Sequence, residues 1–395
     1  MHCANSGRDV TETQYLCASL RLFVCGISVE DTNIERVLIF LLGSLGDTLV
    51  ALPALHLIAR KFPSTERRVL TNVGVHAKAA SMASLLDGSG LVHGYYSFPG
   101  PSKDADRLRM MMRLAREIRR WKPDALIYLH EQRGHMVALR DAVLFRMLGI
   151  TRLVGVPLSR ALQKKIFYEK SGRFEHRSEY LARSLAPLGD LRLAHRSSWD
   201  LRFSTSERER ARSQLDSLRA CRGMLAMSIG TKVDVKDWGD DNWRALLREL
   251  SNWLPHWGLI AIGAPVEHDQ SAAVLAAWHG LSVNLCGKLS VRESGAVLEG
   301  VRLFICHDSG PMHLAAAVGT RCAAVFSARS LPGAWFPYGT GHTVFYKQTD
   351  CAGCRLDVCA QFKKKCIAAI TVAEVAAGIM SMLSAPNPGL REVAQ

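Results

Sequence analysis

What most constrains this chain is an alternation, present in both halves, of short apolar runs with stretches of helical periodicity. The runs Arg36 to Leu42, Arg68 to Val73 and Ala125 to Leu129 come first, and Met224 to Ile229, Gly258 to Ile262, Val301 to Cys306 and Cys322 to Phe326 follow. Apolar strands separated by amphipathic helices predict parallel sheets covered by helices on both faces. At 395 residues the chain is longer than one growing core accommodates, which predicts two domains. The expected fold is therefore α/β: two facing Rossmann-like domains with a cleft between them. Their spans are 34–195 and 196–383, flanked by an N-terminal extension, 1–33, and a tail, 384–395. The boundary falls near Leu191 to Ser206, where a polar stretch precedes a helix opened by Ser204 or Ser206. In open α/β sheets ligands bind beyond the carboxyl ends of the strands, so chemistry is sought in the loops that follow them.

Four such loops are informative. The first, Gly43-Ser44-Leu45-Gly46-Asp47-Thr48, is a Gly-rich turn opening an amphipathic helix, where the backbone can be approached closely. It lacks the third glycine of a dinucleotide fingerprint and the lysine of a P-loop. Asp47 is either a helix N-cap or a general base aimed into the cleft, taking the proton from an acceptor hydroxyl. The second, His307-Asp308-Ser309-Gly310-Pro311-Met312-His313, runs into Leu314 to Val318 and stops at Gly319. Unpaired first-turn amides and the helix macrodipole suit a diphosphate there, with Ser309 and His313 as further donors. The third loop, Gly230 to Trp238, offers Thr231 and Lys236, the lysine being a solvated loop residue or a charge partner for a leaving diphosphate. The fourth, Gly263 to Glu267, offers Glu267 to ribose hydroxyls.

Taken together and in this order, the loops resemble glycosyltransferase family 9, the ADP-heptose:lipopolysaccharide heptosyltransferases, over about residues 34 to 383. The matching elements are Gly43 to Asp47 with Leu52-Pro53-Ala54-Leu55, Lys236-Asp237-Trp238, Gly287-Lys288, and the long run Asp308 to Ala317. The resemblance implies a GT-B fold, an ADP-heptose or related nucleotide-sugar donor, a lipopolysaccharide core or related glycan acceptor, and inversion at the anomeric carbon. By position it implies Asp47 as base. It implies Lys236 with Asp308, Ser309, Gly310, Met312 and His313 as the diphosphate site, and Thr231 and Glu267 as further donor contacts. The sequence departs from the family at Trp238-Gly239-Asp240, where Trp-Pro is usual. Rival classes on such a frame are a nucleotide-sugar epimerase or hydrolase, and a non-enzymatic nucleotide-sugar-binding protein.

A lysine and a helix N-terminus can meet the leaving charge, so no cofactor is expected to be required. Asp104-Ala105-Asp106 fits the metal-binding Asp-x-Asp string but opens a helix away from the donor loops. Cys351, Cys354, Cys359 and Cys366 can bracket a structural zinc, or be free thiols or an oxidation-sensitive pair. On the acceptor side, His130, Glu131, Gln132 and Arg133 follow a strand, with Arg133 or Arg140 available to an anionic acceptor.

A net charge of +14 predicts an acidic partner: nucleic acid, an anionic membrane or a phosphorylated substrate. Along Asp104 to Trp121, Arg109, Arg113, Arg116 and Arg120 recur at helical spacing beside an apolar stripe of Leu108, Met111, Ala115 and Ile118. That is a basic amphipathic helix, packed on a core or docked on a membrane surface. No basic stripe interleaved with aromatics points to nucleic acid. Eleven cysteines without a convincing secretory signal suggest a reducing compartment. The apolar segment Tyr15 to Ser28 is too short to span a bilayer and is interrupted by Arg21. The expected location is the cytoplasm, with peripheral contact at the inner membrane.

Overall fold

The structure, a computed structural model, describes residues 34–72, 80–100 and 104–385, the side chains of 104 and 105 excepted. The expected extension 1–33, including Tyr15 to Ser28, and residues 386–395 of the expected tail lie outside the described residues.

The first sheet has five strands: β1 (Arg36–Phe40), β2 (Glu66–Asn72), β3 (Gly94–Phe98), β4 (Ala125–Tyr128) and β5 (Arg152–Val154). They lie in the order β3-β2-β1-β4-β5, all parallel, with Val37 facing Ala125 and Phe40 facing Tyr128. A short antiparallel hairpin follows, β6 (Phe167–Tyr168) with β7 (Arg173–Phe174). The second sheet holds β8 (Gly223–Ser228), β9 (Trp257–Ala261), β10 (Ser282–Asn284), β11 (Leu303–His307), β12 (Cys322–Phe326) and β13 (Thr343–Tyr346). Its order is β10-β9-β8-β11-β12-β13, again parallel throughout.

Each predicted apolar run is a strand, with bounds moved by one or two residues. β3, β5, β10 and β13 escaped prediction for a common reason: all four lie at sheet edges, β5 and β10 have only three residues each, and the others mix polar or half-exposed side chains. No unbroken apolar run marks them.

Alternate strand residues feed opposite faces. In β1, Val37 and Ile39 pack with Leu52, Leu55 and Ile58 of the Leu52–Lys61 helix, while Leu38 and Phe40 pack with Leu114, Ile118 and Phe145 on the other side. The fully buried Leu38, Ile39, Leu52, Leu55 and Ile58 each stabilise the fold by about 1.5–3 kcal/mol. In the second sheet, Leu225 and Met227 pack against Trp243, Leu246 and Leu250 of the Asp240–Trp253 helix.

The two halves share apolar core and a polar rivet. Buried Arg292 donates to the carbonyls of Leu85 (2.9 Å), Leu201 (3.0 Å) and Arg202 (2.8 Å) and is ion-paired with Glu207. Glu207 itself closes a capping box with Ser204, which opens the Thr205–Ser213 helix.

The helix Asp104–Trp121 forms as predicted, and the predicted apolar stripe is covered only in its second half, at half-buried Ala115 and buried Ile118. Leu114, Ile118 and Trp121 are buried, whereas Leu108 and Met111 of the expected apolar stripe are exposed. Its first described turns, 106–113, are exposed throughout. Asp106 is exposed and faces Arg109 at 3.7 Å, and the side chains of Asp104 and Ala105 lie outside the described residues.

Among the described residues no group of three or more His, Cys, Asp or Glu is placed to hold a metal. Cys351, Cys354, Cys359 and Cys366 are free thiols, the last two buried, and are not gathered into one site. Of the alternatives read from the sequence, the zinc cluster is not formed and the free thiols are: Cys366 packs into the base of a short helix while Cys351 and Cys354 lie in the preceding turns.

Candidate active site

Strand order fixes where the site must be. In the first sheet the order reverses between β1 and β4, and in the second between β8 and β11, so the loops leaving these four strands diverge and open a crevice. Those loops carry Gly43 to Asp47, Glu131-Gln132, Gly230 to Lys236 and Asp308 to His313. All four line one cleft of about 850 Å³ between the sheets.

Asp47 stands on the third residue of the short Leu45–Val50 helix, so Ser44 is the N-cap and Asp47 is not. Its Oδ2 accepts from the Ser44 amide at 2.7 Å and the Ser44 hydroxyl at 3.2 Å. The carboxylate is held in one place, partly buried at the edge of the cleft. Burial raises its pKa above the ordinary 3.8; Ser44 and the positive charge of Arg177 oppose the rise, and Glu131 adds to it. Gly43 is required for this pose, because a Cβ there would lie 2.3 Å from Asp47 Cγ. The Gly43 amide is itself held by Asn72 Oδ1 at 2.7 Å.

Across the cleft, the Lys236 ammonium meets Asp308 twice, its carboxylate at 2.7 Å and its main-chain carbonyl at 3.1 Å. Lys236 is thus no free loop lysine. An ammonium has three hydrogens, and the third is left for a ligand in the cleft that Lys236 lines. The neighbouring His307 is wholly buried and accepts from the Trp238 amide at 3.0 Å, which pins the Lys236 loop to the Asp308 loop. Burial pushes His307 down to about 3, so it stays a neutral acceptor.

Ser309 is the N-cap of the Gly310–Ala317 helix, yet no side chain caps its first turn. The Ser309 hydroxyl lies 3.4 Å from the His307 carbonyl and, like Gly310 and His313, lines the cleft. Burial first, then Lys236, lowers His313 to about 3, leaving a neutral imidazole at the helix N-terminus. Met312 is the exception among the expected donor contacts: fully buried and packed in the core, it faces away from the cleft. One residue from the site in sequence, it is on the opposite side of the helix turn.

Thr231 donates to the Val233 carbonyl at 3.1 Å and shapes its own loop. Glu267 is buried; its Oε2 accepts from the Ala264 amide at 2.8 Å, and its carboxyl fills the space that side chains at Gly230 and Gly263 would occupy. Both residues line the cleft.

On the first-sheet side Glu131 and Gln132 line the cleft, but His130 packs edge-on against Phe40. Arg133 (3.2 Å) and Arg140 (2.6 Å) are ion-paired with the buried Asp141, which also takes the Tyr128 hydroxyl at 2.9 Å. Their expected availability to an anionic acceptor is therefore corrected: they neutralise a buried carboxylate.

Sequence reasoning missed Arg177. It lines the cleft, donates to the Leu129 carbonyl at 2.6 Å and sits 4.7 Å over the Tyr180 ring. Its buried positive charge lowers the pKa of Asp47, against the larger rise that burial causes. Its signal in the sequence was faint, since Arg177 is one arginine among many in a basic chain.

The model of glycosyltransferase family 9 (heptosyltransferase) matches residues 111–365, more than half of the chain. The chain belongs to glycosyltransferase family 9. It is thus a glycosyltransferase. No curated protein matches it in sequence. Among solved structures, it is similar to the glycosyl transferase family 9 protein from Veillonella parvula, at 17% identity and a TM-score of 0.62, over 88% of this chain and 97% of that one. Similar too are E. coli ADP-heptose LPS heptosyltransferase II (16%, TM-score 0.59, 88% and 98% covered) and E. coli heptosyltransferase WaaC with ADP-2-deoxy-2-fluoro heptose (18%, 0.55, 88% and 99%). At these identities the likeness shows the shared GT-B fold. The departure at Gly239 has a local cause. That residue precedes the Asp240–Trp253 helix with φ +95°, which the fixed φ of the family's usual proline cannot reach.

Proposed function

We propose that this glycosyltransferase moves heptose from ADP-heptose to a lipopolysaccharide core or related glycan acceptor, with inversion at the anomeric carbon. The observation that carries the reading is the convergence on one cleft of a fixed carboxylate, Asp47, with a lysine and an uncapped helix N-terminus opposite it. Asp47 takes the proton of the attacking hydroxyl. The departing diphosphate accumulates charge, which Lys236, the Gly310 amide and the Ser309 hydroxyl meet. Base and phosphate site are contributed by different halves of the chain, which supports attack from the face opposite the leaving group, as inversion needs. These groups supply the charge stabilisation without a required cofactor. The E. coli structures named above, one of them with an ADP-heptose analogue, support the choice of donor.

The experiment combines purified protein, ADP-heptose and a detergent-dispersed lipopolysaccharide core, and follows ADP release, acceptor mass and product anomer. The acceptor should gain one heptose of inverted configuration, and Asp47→Asn should lower turnover by about 10²–10⁴-fold. No ADP release, or full turnover in Asp47→Asn, overturns the reading.

A further inference from the structure

We infer that the face formed by the helices Asp104–Trp121 and His135–Met147 docks on an anionic phospholipid bilayer. The helices flank β4, the first leading into it and the second leading out, and both pack on the same face of the first sheet through Leu114, Ile118, Ala138, Ala142 and Phe145. The Arg119 guanidinium donates to the Met147 carbonyl at 2.6 Å and joins their C-terminal ends. What they leave outside is unusual for surface helices. Leu108 is 60% exposed, Met136 78% and Met147 63%, with Met110, Met112 and Val143 also exposed. Large apolar side chains clustered this way mark an interaction surface.

Charge complementarity selects the occupant. The first helix has six arginines, Arg107, Arg109, Arg113, Arg116, Arg119 and Arg120. Its described acids are already paired, Asp106 with Arg109 at 3.7 Å and Glu117 with Arg113 at 3.0 Å. On the second helix Asp141 is buried under Arg133 and Arg140. A surface of exposed methionine and leucine interleaved with arginine is the composition of an interfacial helix on acidic lipid. None of these helices is long and apolar enough to cross a bilayer.

Topology adds the direction. Helices in a parallel α/β layer run antiparallel to the strands, so the N-terminal turns bearing Leu108, Met110, Met112 and Met136 lie at the carboxyl ends of the strands. That is the edge where Glu131 and Gln132 line the cleft. A membrane on this face sits beside the acceptor side of the cleft, where a lipid-linked glycan would enter. The docking surface itself rests on none of the donor chemistry.

The test is co-sedimentation of the full chain with phosphatidylcholine vesicles, with and without about one third phosphatidylglycerol, at low salt and at about 0.5 M salt. Binding should need the anionic lipid and fade with salt. Each of Arg109→Gln and Arg116→Gln should weaken it about fivefold, at roughly 1 kcal/mol per arginine. Met110→Asp with Met136→Asp should abolish it while leaving Tm and turnover on detergent-dispersed acceptor unchanged. Equal binding to neutral vesicles, variants that bind like the parent, or a parent that forms dimers broken by Met110→Asp and ignores vesicles would each overturn the inference. Failure of heptose transfer with vesicle binding intact would remove the donor reading and leave this one standing.

Discussion

The Lys236–Asp308 pair separates a structural from a catalytic role, because the two roles respond differently to removing one partner or both. Asp308 is buried, and Lys236 has a side-chain exposure of 18%. Lys236→Met leaves a buried carboxylate without its cation, a loss of about 3–5 kcal/mol. In a chain this size that lowers Tm by roughly 5 °C. The double variant Lys236→Met with Asp308→Asn removes both charges, so most of the Tm should return. Turnover should not. An ammonium aimed at a leaving diphosphate contributes about 2.7–4 kcal/mol to the barrier, the scale for one oxyanion donor, so kcat should stay down by about 10²–10³-fold. The assay is ADP release under saturating donor and acceptor, beside a thermal melt of each variant. A double variant that regains both stability and turnover would show that the pair only braces two loops, and the leaving-group role would be refuted.

Three further outcomes are expected. Gly43→Ala places a methyl 2.3 Å from Asp47 Cγ and must displace the carboxylate, so kcat falls at least tenfold while Tm changes little; unchanged kcat would show that the Asp47 pose is not needed. Glu131→Gln removes a negative charge that raises Asp47, so the acid limb of the pH–rate profile moves to lower pH, and a limb that stays put or rises contradicts the coupling. Burial holds His176, His307 and His313 at about 3 each, well under the 6.5 of an unfolded histidine. Below pH 6.5 the unfolded chain therefore binds more protons than the native one. Stability falls as pH drops from 6.5 towards 3, by up to roughly 4 kcal/mol per pH unit for the three together; a Tm that is flat between pH 7.5 and 5 would contradict their burial.

Much of this architecture was legible because its signals are local. A parallel strand buried on both faces must be apolar throughout, so β1, β4, β8, β9, β11 and β12 are visible as runs, and the loops that follow them carry glycines and caps with fixed offsets. What stayed hidden depends on partners distant in sequence. Lys236 could not be told from a solvated lysine until Asp308, 72 positions later, was placed beside it. Arg133 and Arg140 read as free cations for another reason: their partner Asp141 is near in sequence, but nothing local shows that its carboxylate is buried. Met312 was assigned to the site by its neighbours in the sequence, yet a helix turns about 100° per residue, and that step carries it from the cleft into the core. Leu108 and Met111 failed for the opposite reason: periodicity reports which residues share a face, and cannot report whether the sheet extends far enough to cover it.

The same reasoning explains why the cleft has its chemistry where it does. The Leu45–Val50 and Gly310–Ala317 helices, one from each half, meet through glycines. A Cβ on Gly46 would lie 3.0 Å from the His313 ring, and one on Gly310 would lie 3.0 Å from Leu45 Cβ. The first turn that carries Asp47 is therefore packed almost directly against the first turn of the Gly310–Ala317 helix, the proposed diphosphate site. The separation of the proposed base from the proposed leaving-group site is set by backbone contact, not by long side chains that can swing, and rigid positioning of that kind favours the proposed displacement. Glycine at both places is the direct consequence of this close approach.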